Sequence, residues 1–168
     1  MSFLFRATAP RFGGIPRGYT VMIWTLKVEC IRGQYLADDC IRIIEIDSKS
    51  SLFALHDAIQ DAVGFGRDHL FEFFASRSHR NRKLDYVDVD NIESDNLYDL
   101  YDEISLEQIY PLPKNCILYY HFDFGDDWYF KVRKIRKKPQ EPNPKVHYPR
   151  VIESIGPNLI QYPNYDDG

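Results

Sequence analysis

The stretch LYYHFDFGDDWYFKV, residues 118–132, decides the fold. Leu118, Tyr120, Phe122 and Phe124 alternate along a first arm, and Trp128, Phe130 and Val132 along a second. Period-two alternation belongs to a strand with one buried face, and Gly125, Asp126 and Asp127 are turn residues. A two-residue turn at Gly125-Asp126 sets Phe124 against Asp127 and mixes the faces. A three-residue turn sets Phe124 against Trp128 and Phe122 against Phe130. Because a one-residue slip inverts every side chain, burial selects the second register. The opposite face then carries Tyr119, His121 and Asp123 beside Tyr129, Lys131 and Arg133.

Upstream, Met22, Trp24, Leu26, Val28 and Cys30 alternate with Thr25, Lys27 and Glu29, a half-buried strand. Ile41 to Ile46 is a second strand rich in β-branched residues, with Arg42 as either an edge residue or a site residue. Ser50-Ser51 offers an N-cap to a helix of about three turns, with Leu52, Leu55, Ile59, Ala62 and Val63 at helical spacing. Gly64 stands where a C-terminal glycine belongs. Asp57, Gln60 and Asp61 mark the wet side of that helix, with His56 at the border. His69 to Phe74 reads as a third strand and Ser76 to Lys83 as a basic loop, in which Arg77, Arg80, Arg82, Lys83 and His79 gather. The following acidic stretch alternates weakly and is read as a short strand or turn. Ser105 to Gln108 is a capping box that starts a helical turn ending before Pro111.

Both ends of the chain look different. Residues 1–21 hold Arg6, Arg11 and Arg17 without an acid, broken by Pro10, Gly13-Gly14 and Pro16, and read as a flexible extension. Phe3-Leu4-Phe5 is too short for a signal sequence core. Six of the ten prolines fall after Lys138, so an irregular proline-rich tail over the sheet is expected. One α+β domain over 22–165 follows: a mostly antiparallel sheet of about five strands on one main helix, in the order β-β-α-β-(short helix)-β-β.

The 168 residues are 44% hydrophobic and 27% charged, an ordinary globular balance, while aromatics at 15% favour a sheet. No apolar run approaches the ~20 residues that cross a bilayer, so no membrane association is expected. The net charge of −4 argues against a dedicated DNA-binding domain. Charge is nevertheless segregated. Nine acids and no base lie between Asp85 and Glu107, and six bases and no acid between Lys131 and Lys138. The two patches either neutralise each other within the fold or face a partner. Cys30, Cys40 and Cys116 lack any CxxC pair, which excludes a zinc knuckle, a redox motif and a secreted disulfide framework, and places the chain in a reducing cytoplasm.

Ser51-Leu52 to Gln60 with Gly64-Phe65, His69 to Phe73, Tyr120 to Trp128 and Tyr148-Pro149-Arg150, in that order, resemble the plasmid pRi ORF-three-like family. Its members are often labelled TnpR-type passenger proteins of insertion elements, although the family lacks a serine-recombinase catalytic core. The resemblance implies an α+β fold with an antiparallel sheet on the helix near residue 52, and a link to mobile genetic elements. The chain departs from the pattern in places. Of the family's Pro-x-x-Trp-Arg-Arg element only Arg42 remains, the second histidine of its His-Leu-His-Glu-Phe element is Phe71, and its Cys-Pro-Pro tail is replaced by Ile155 to Ile160.

His56, His69, His121, Asp123, Asp126 and Asp127 would make a metal or acid–base site if the fold gathered them, although none has a tight ligand spacing such as HExxH. His121 and Asp123 share a strand face, about 7 Å apart. The bland alternative makes His56 and His69 core-edge histidines and the turn aspartates mere turn formers. Asp123-Phe124-Gly125 matches a kinase string by chance, without a glycine-rich loop or catalytic loop. Tyr119, Tyr129, Lys131, Arg133 and Arg136, with His121, form a basic face interleaved with aromatics, as single-stranded nucleic acid requires, or else a solvated outer face. The leading expectation is a cytoplasmic accessory domain that binds protein or nucleic acid and needs no cofactor. A hydrolase built on the His/Asp set and an oligomerisation module are the alternatives.

Overall fold

The structure, a computed structural model, describes residues 20–81, 83–87 and 96–164. Residues 1–19, on which the expected extension falls, and 88–95 of the acidic stretch lie outside the described residues, as do Arg82 and 165–168. The elements run β1 (Ile23–Arg32), β2 (Ile41–Asp47), α1 (Leu52–Val63), β3 (Phe71–Ser76), β4 (Leu84–Asp85), α2 (Leu97–Asp102), α3 (Leu106–Ile109), β5 (Ile117–Phe122), β6 (Trp128–Lys134) and β7 (Arg150–Ile155). One sheet holds the strands in the order β4-β3-β5-β6-β1-β2-β7, and every neighbouring pair is antiparallel.

The architecture is the expected sheet-dominated α+β, with corrections. Seven strands form the sheet rather than about five, and α1 is joined by two short helices. β4 is two residues long, too short to leave a period-two signature. β7 lies inside the supposedly irregular tail, where Arg150 to Ile155 is bracketed by Pro149 and Pro157 but contains no proline. It pairs with β2, so its strand state comes from a neighbour more than 100 residues away. The third strand begins at Phe71 instead of His69.

α1 starts as its sequence requires. Ser51 Oγ accepts the Ala54 N–H at 3.0 Å, and Gly64 closes the helix in the left-handed region at φ 83°. Leu52, Leu55, Ile59 and Val63 face the sheet, and so do His56 and Gln60. Gln60 is therefore a core residue, not part of the wet side. The capping box of α3 is present, with Gln108 Oε1 accepting the Ser105 N–H at 2.8 Å.

The hairpin pairs Phe122 with Trp128, Tyr120 with Phe130 and Leu118 with Val132, two residues away from the expected register. The turn is five residues long because Asp123 organises it. With φ at 57°, its Oδ1 accepts the N–H groups of Gly125 (3.1 Å) and Asp126 (3.2 Å), while its carbonyl accepts Asp127 N–H. An even-numbered shift preserves the faces, so Tyr120, Phe122, Trp128 and Phe130 still point at α1, all fully buried. Phe124 alone leaves the inward row; it is exposed and stacks on His121 at 4.7 Å. Beneath the rings, a Cβ on Gly33 would stand 2.0 Å from the Trp128 ring, so the β1–β2 loop can approach only as glycine.

β4 cannot cover the full length of β3. Where it stops, the buried Phe73 N–H donates instead to the Tyr101 hydroxyl of α2 at 3.0 Å. At the far side, Arg42 settles its sequence ambiguity as a clamp. Its Nε donates to the Ala62 carbonyl in the last turn of α1 (2.8 Å), and its other nitrogens to the carbonyls of Ile41, Ile155, Gly156 and Pro157 and to Asn158 Oδ1. A cation at a helix C-terminus is favourable in itself, and here it also ties the chain after β7 to that helix. Arg42→Met removes the buried donor that these partly exposed acceptors share and is expected to lower stability by about 1–3 kcal/mol, read by urea unfolding, with Arg42→Lys restoring only part because an ammonium has three donors.

Candidate functional site

The face of the sheet turned away from α1 is built by the ladder registers. His121 lies between Glu72 and Tyr129, Tyr119 between Phe74 and Lys131, Lys131 beside Glu29, and Arg133 beside Lys27. Aromatic and charged side chains thus alternate in rows across four strands.

At one end of this face His121 is enclosed. Its ring stacks on Tyr129 at 4.0 Å and 9°, with Phe124 on the other side. Nδ1 lies 3.1 Å from Glu72 Oε1 and Nε2 2.9 Å from Asp127 Oδ1. Each ring nitrogen thus has a carboxylate oxygen within hydrogen-bond distance. Glu72 also accepts Lys83 Nζ at 2.7 Å. Burial works to raise the pKa of Glu72, but the hydrogen bonds from His121 and Lys83 outweigh it and hold the carboxyl below its ordinary range. Lys83 lies over the Phe74 ring at 4.4 Å, and Arg32 reaches Asp127 at 3.6 Å.

The basic loop after β3 folds over part of this face. His79 contacts the rings of Tyr119 and Tyr129, at 6.3 and 5.3 Å. Tyr119 is consequently buried, and one face of Tyr129 is taken by His121, so neither ring is presented for base stacking. Lys131 is half-buried, and Arg133 and Arg136 are exposed. Among the described residues, no carboxylate forms an ion pair with these three.

The remaining candidates lie elsewhere. His56 is on the helix side of the sheet, stacked on Phe71 at 3.8 Å with Nδ1 2.6 Å from the Tyr120 hydroxyl. Burial pushes its pKa down to about 4, so it is neutral at pH 7. His69 sits before β3, its Nε2 2.6 Å from the Tyr162 hydroxyl and 3.3 Å from Asp123 Oδ2. Gln161 donates to Asp68 Oδ1 at 2.7 Å beside it. Asp126 lies in the hairpin turn, its carbonyl accepting the Gln34 N–H. The structure therefore brings His69 to Asp123 and His121 to Asp127, and leaves His56 across the sheet from His121. Among the described residues, no three His, Cys, Asp or Glu side chains are grouped to hold a metal ion. Glu72 and Arg32 join the site without having been singled out by the sequence, and Lys83 joins it from the basic loop. Glu72 is the polar residue of an otherwise apolar run, but its pairing with His121 is a contact between strands 49 residues apart.

Comparison with known proteins agrees with this architecture. The family model described as plasmid pRiA4b ORF-3-like protein matches residues 24–158. The chain is similar in fold to the crystal structure of a protein of unknown function, MM3350, from Methanosarcina mazei Go1, with a TM-score of 0.62 and 22% identity over 84% of this chain and 73% of that one. No curated protein matches. Among the described residues no helix is long and apolar enough to cross a membrane.

The state of His56 has a consequence for stability. Its pKa is lower folded (about 4) than unfolded (about 6.5), so between these values the unfolded chain binds a proton that the folded chain refuses. Stability is present above pH 6.5 and falls with pH through that window, by about 2 kcal/mol between pH 6.5 and 5. Glu72 adds its own loss only below about pH 4.5, as its carboxyl protonates. His79, also lowered by burial, acts in the same sense as His56. Urea unfolding from pH 7 to 5 should show this slope in the wild type and a clearly shallower one in His56→Gln.

Proposed function

The chain belongs to the plasmid pRiA4b ORF-3-like family, and from that premise we propose that it is an accessory binding module whose polar sheet face takes an anionic partner, single-stranded nucleic acid or an acidic protein segment. One observation carries the reading. Lys27 stands directly opposite Arg133 on neighbouring strands, on the solvent side, and like charges so placed cost stability unless an anion is shared between them. Lys27 has a long 3.8 Å contact to Glu29, whereas Arg133 has no ion pair among the described residues. Lys131 extends the same row, and Arg136 is exposed just beyond the end of β6. Because Tyr119 is covered, recognition here rests on charge and not on ring stacking, which suits a partner read by its backbone. The free thiols of Cys30, Cys40 and Cys116 support a cytoplasmic setting, and the plasmid in the family's name supports a link to mobile elements. The hydrolase alternative has no comparable support, since its histidines and aspartates fall in three separate places.

Trp24 and Lys134 belong to the helix-side row with Leu26 and Val132, so binding is read by the fluorescence anisotropy of end-labelled polyanions. Titration with short single-stranded RNA, short single-stranded DNA and polyglutamate at 50 and 200 mM salt should show binding that weakens steeply with salt. Lys131→Glu combined with Arg133→Glu should reduce affinity by about tenfold or more and flatten the salt slope. A flat titration with all three polyanions at low salt would sink the proposal, and a response to polyglutamate alone would assign the partner as protein.

A further inference from the structure

The β1–β2 ladder runs from Ile23 opposite Asp47 to Glu29 opposite Ile41. One further step sets Cys30 opposite Cys40, and the Cys30 N–H does donate to the Cys40 carbonyl at 3.0 Å. Opposed residues of an antiparallel pair hold their Cα atoms about 4.5–5.5 Å apart with side chains on one face. A disulfide spans Cα separations of about 4.4–6.8 Å. Both side chains belong to the same buried core cluster, and both thiols are free. We propose that Cys30 and Cys40 are a latent cross-strand dithiol that closes to a disulfide under a peroxide-class oxidant and so locks the neck of the β1–β2 loop.

That loop occupies a controlling position. It passes Gly33 under Trp128, donates Gln34 N–H to the Asp126 carbonyl of the hairpin turn and carries Arg32 to Asp127, which holds His121. A staple at its neck fixes both stems of the segment that braces this end of the polar face. The chain after β7 covers the neck from outside, since a Cβ on Gly156 would stand 1.6 Å from the Asp39 carbonyl oxygen. Burial also keeps the Cys30 thiol protonated, its pKa pushed up to about 12, so a small oxidant and a slow reaction are expected. In the reaction one sulfur attacks a peroxide oxygen, the O–O bond breaks, and a sulfenic acid and water form. The second sulfur then displaces the sulfenic oxygen as a further water. Two thiols and one hydrogen peroxide thus give one disulfide and two waters, with the two electrons passing from sulfur to peroxide.

The test uses the full chain, because Arg32 separates the two cysteines into different tryptic peptides, residues 28–32 and 33–42. Native protein is exposed to hydrogen peroxide, alkylated under denaturing conditions and digested. The expected product is a monomer lighter by two hydrogens, with those two peptides joined and released by dithiothreitol. Cys116→Ser, which removes the half-buried competitor thiol, should give the same product with a melting temperature several degrees above its reduced form. Cys30→Ser should lose both the linkage and the shift. Disulfides that include Cys116, thiols that stay free until urea unfolds the chain, or oxidation that stops at sulfinic acids would overturn the proposal. Should the serine variants fail to fold, the peptide map of the wild type decides it alone.

Discussion

The hydroxyl of Tyr120 is buried between the sheet and α1, and an unpaired hydroxyl in such a place costs about 1–3 kcal/mol. Gln60 Nε2 donates to it at 2.9 Å, and it lies 2.6 Å from His56 Nδ1. With its acceptor side taken by the amide, the hydroxyl proton is free to go to the imidazole. His56 and Gln60 are four residues apart and so share one face of the helix. Meeting one phenol with both of them sets the rotation of α1 on the sheet and its position along β5. The aromatic packing follows: Phe71 lies flat on His56, Phe73 and Phe130 flank Tyr120, and Phe65 just past the helix covers Trp128.

The same strands produce a second surface of opposite character. On β5, Tyr120 and Phe122 go to the helix while Tyr119 and His121 go to the other side, and β6 divides Trp128 and Phe130 from Tyr129 and Lys131 in the same way. One side is held by burial and directed hydrogen bonds. The other is held by polar pairing: Glu72 meets Lys83 and His121, Asp127 faces His121 and Arg32, and Lys131 and Arg133 of β6 form no ion pair among the described residues. The pattern explains why a chain of net charge −4 carries a positive strip, since its acids are spent on pairing within the sheet or lie outside it.

Long-range closures complete the molecule. β7 presents a fully exposed edge, and the chain beyond it returns to α1 through the Arg42 clamp and the bond from Leu159 N–H to the Val63 carbonyl. Arg42 was legible only as an alternative between edge and site, because its five carbonyl partners come from three parts of the chain. Gln60 and Glu72 were misread or passed over for a related reason. A polar residue looks solvated by type, and only its partner reveals that it is buried and satisfied. The hairpin turn was misjudged by two residues because Asp123 and Asp127 take positive φ, which composition alone does not announce.

The amino-acid sequence by itself determined the local facts: which segments alternate, where α1 is capped, which side of each hairpin arm is apolar, and the family. Those depend on neighbours within a few residues, where propensity and periodicity act. Tertiary structure decided that the tail contributes a strand, that Tyr119 is covered while Arg133 is not, that the candidate histidines part to opposite sides of the sheet, and that two distant cysteines face each other across a ladder. Each of these is a pairing between residues far apart along the chain, and its free energy appears only once the sheet has brought them together.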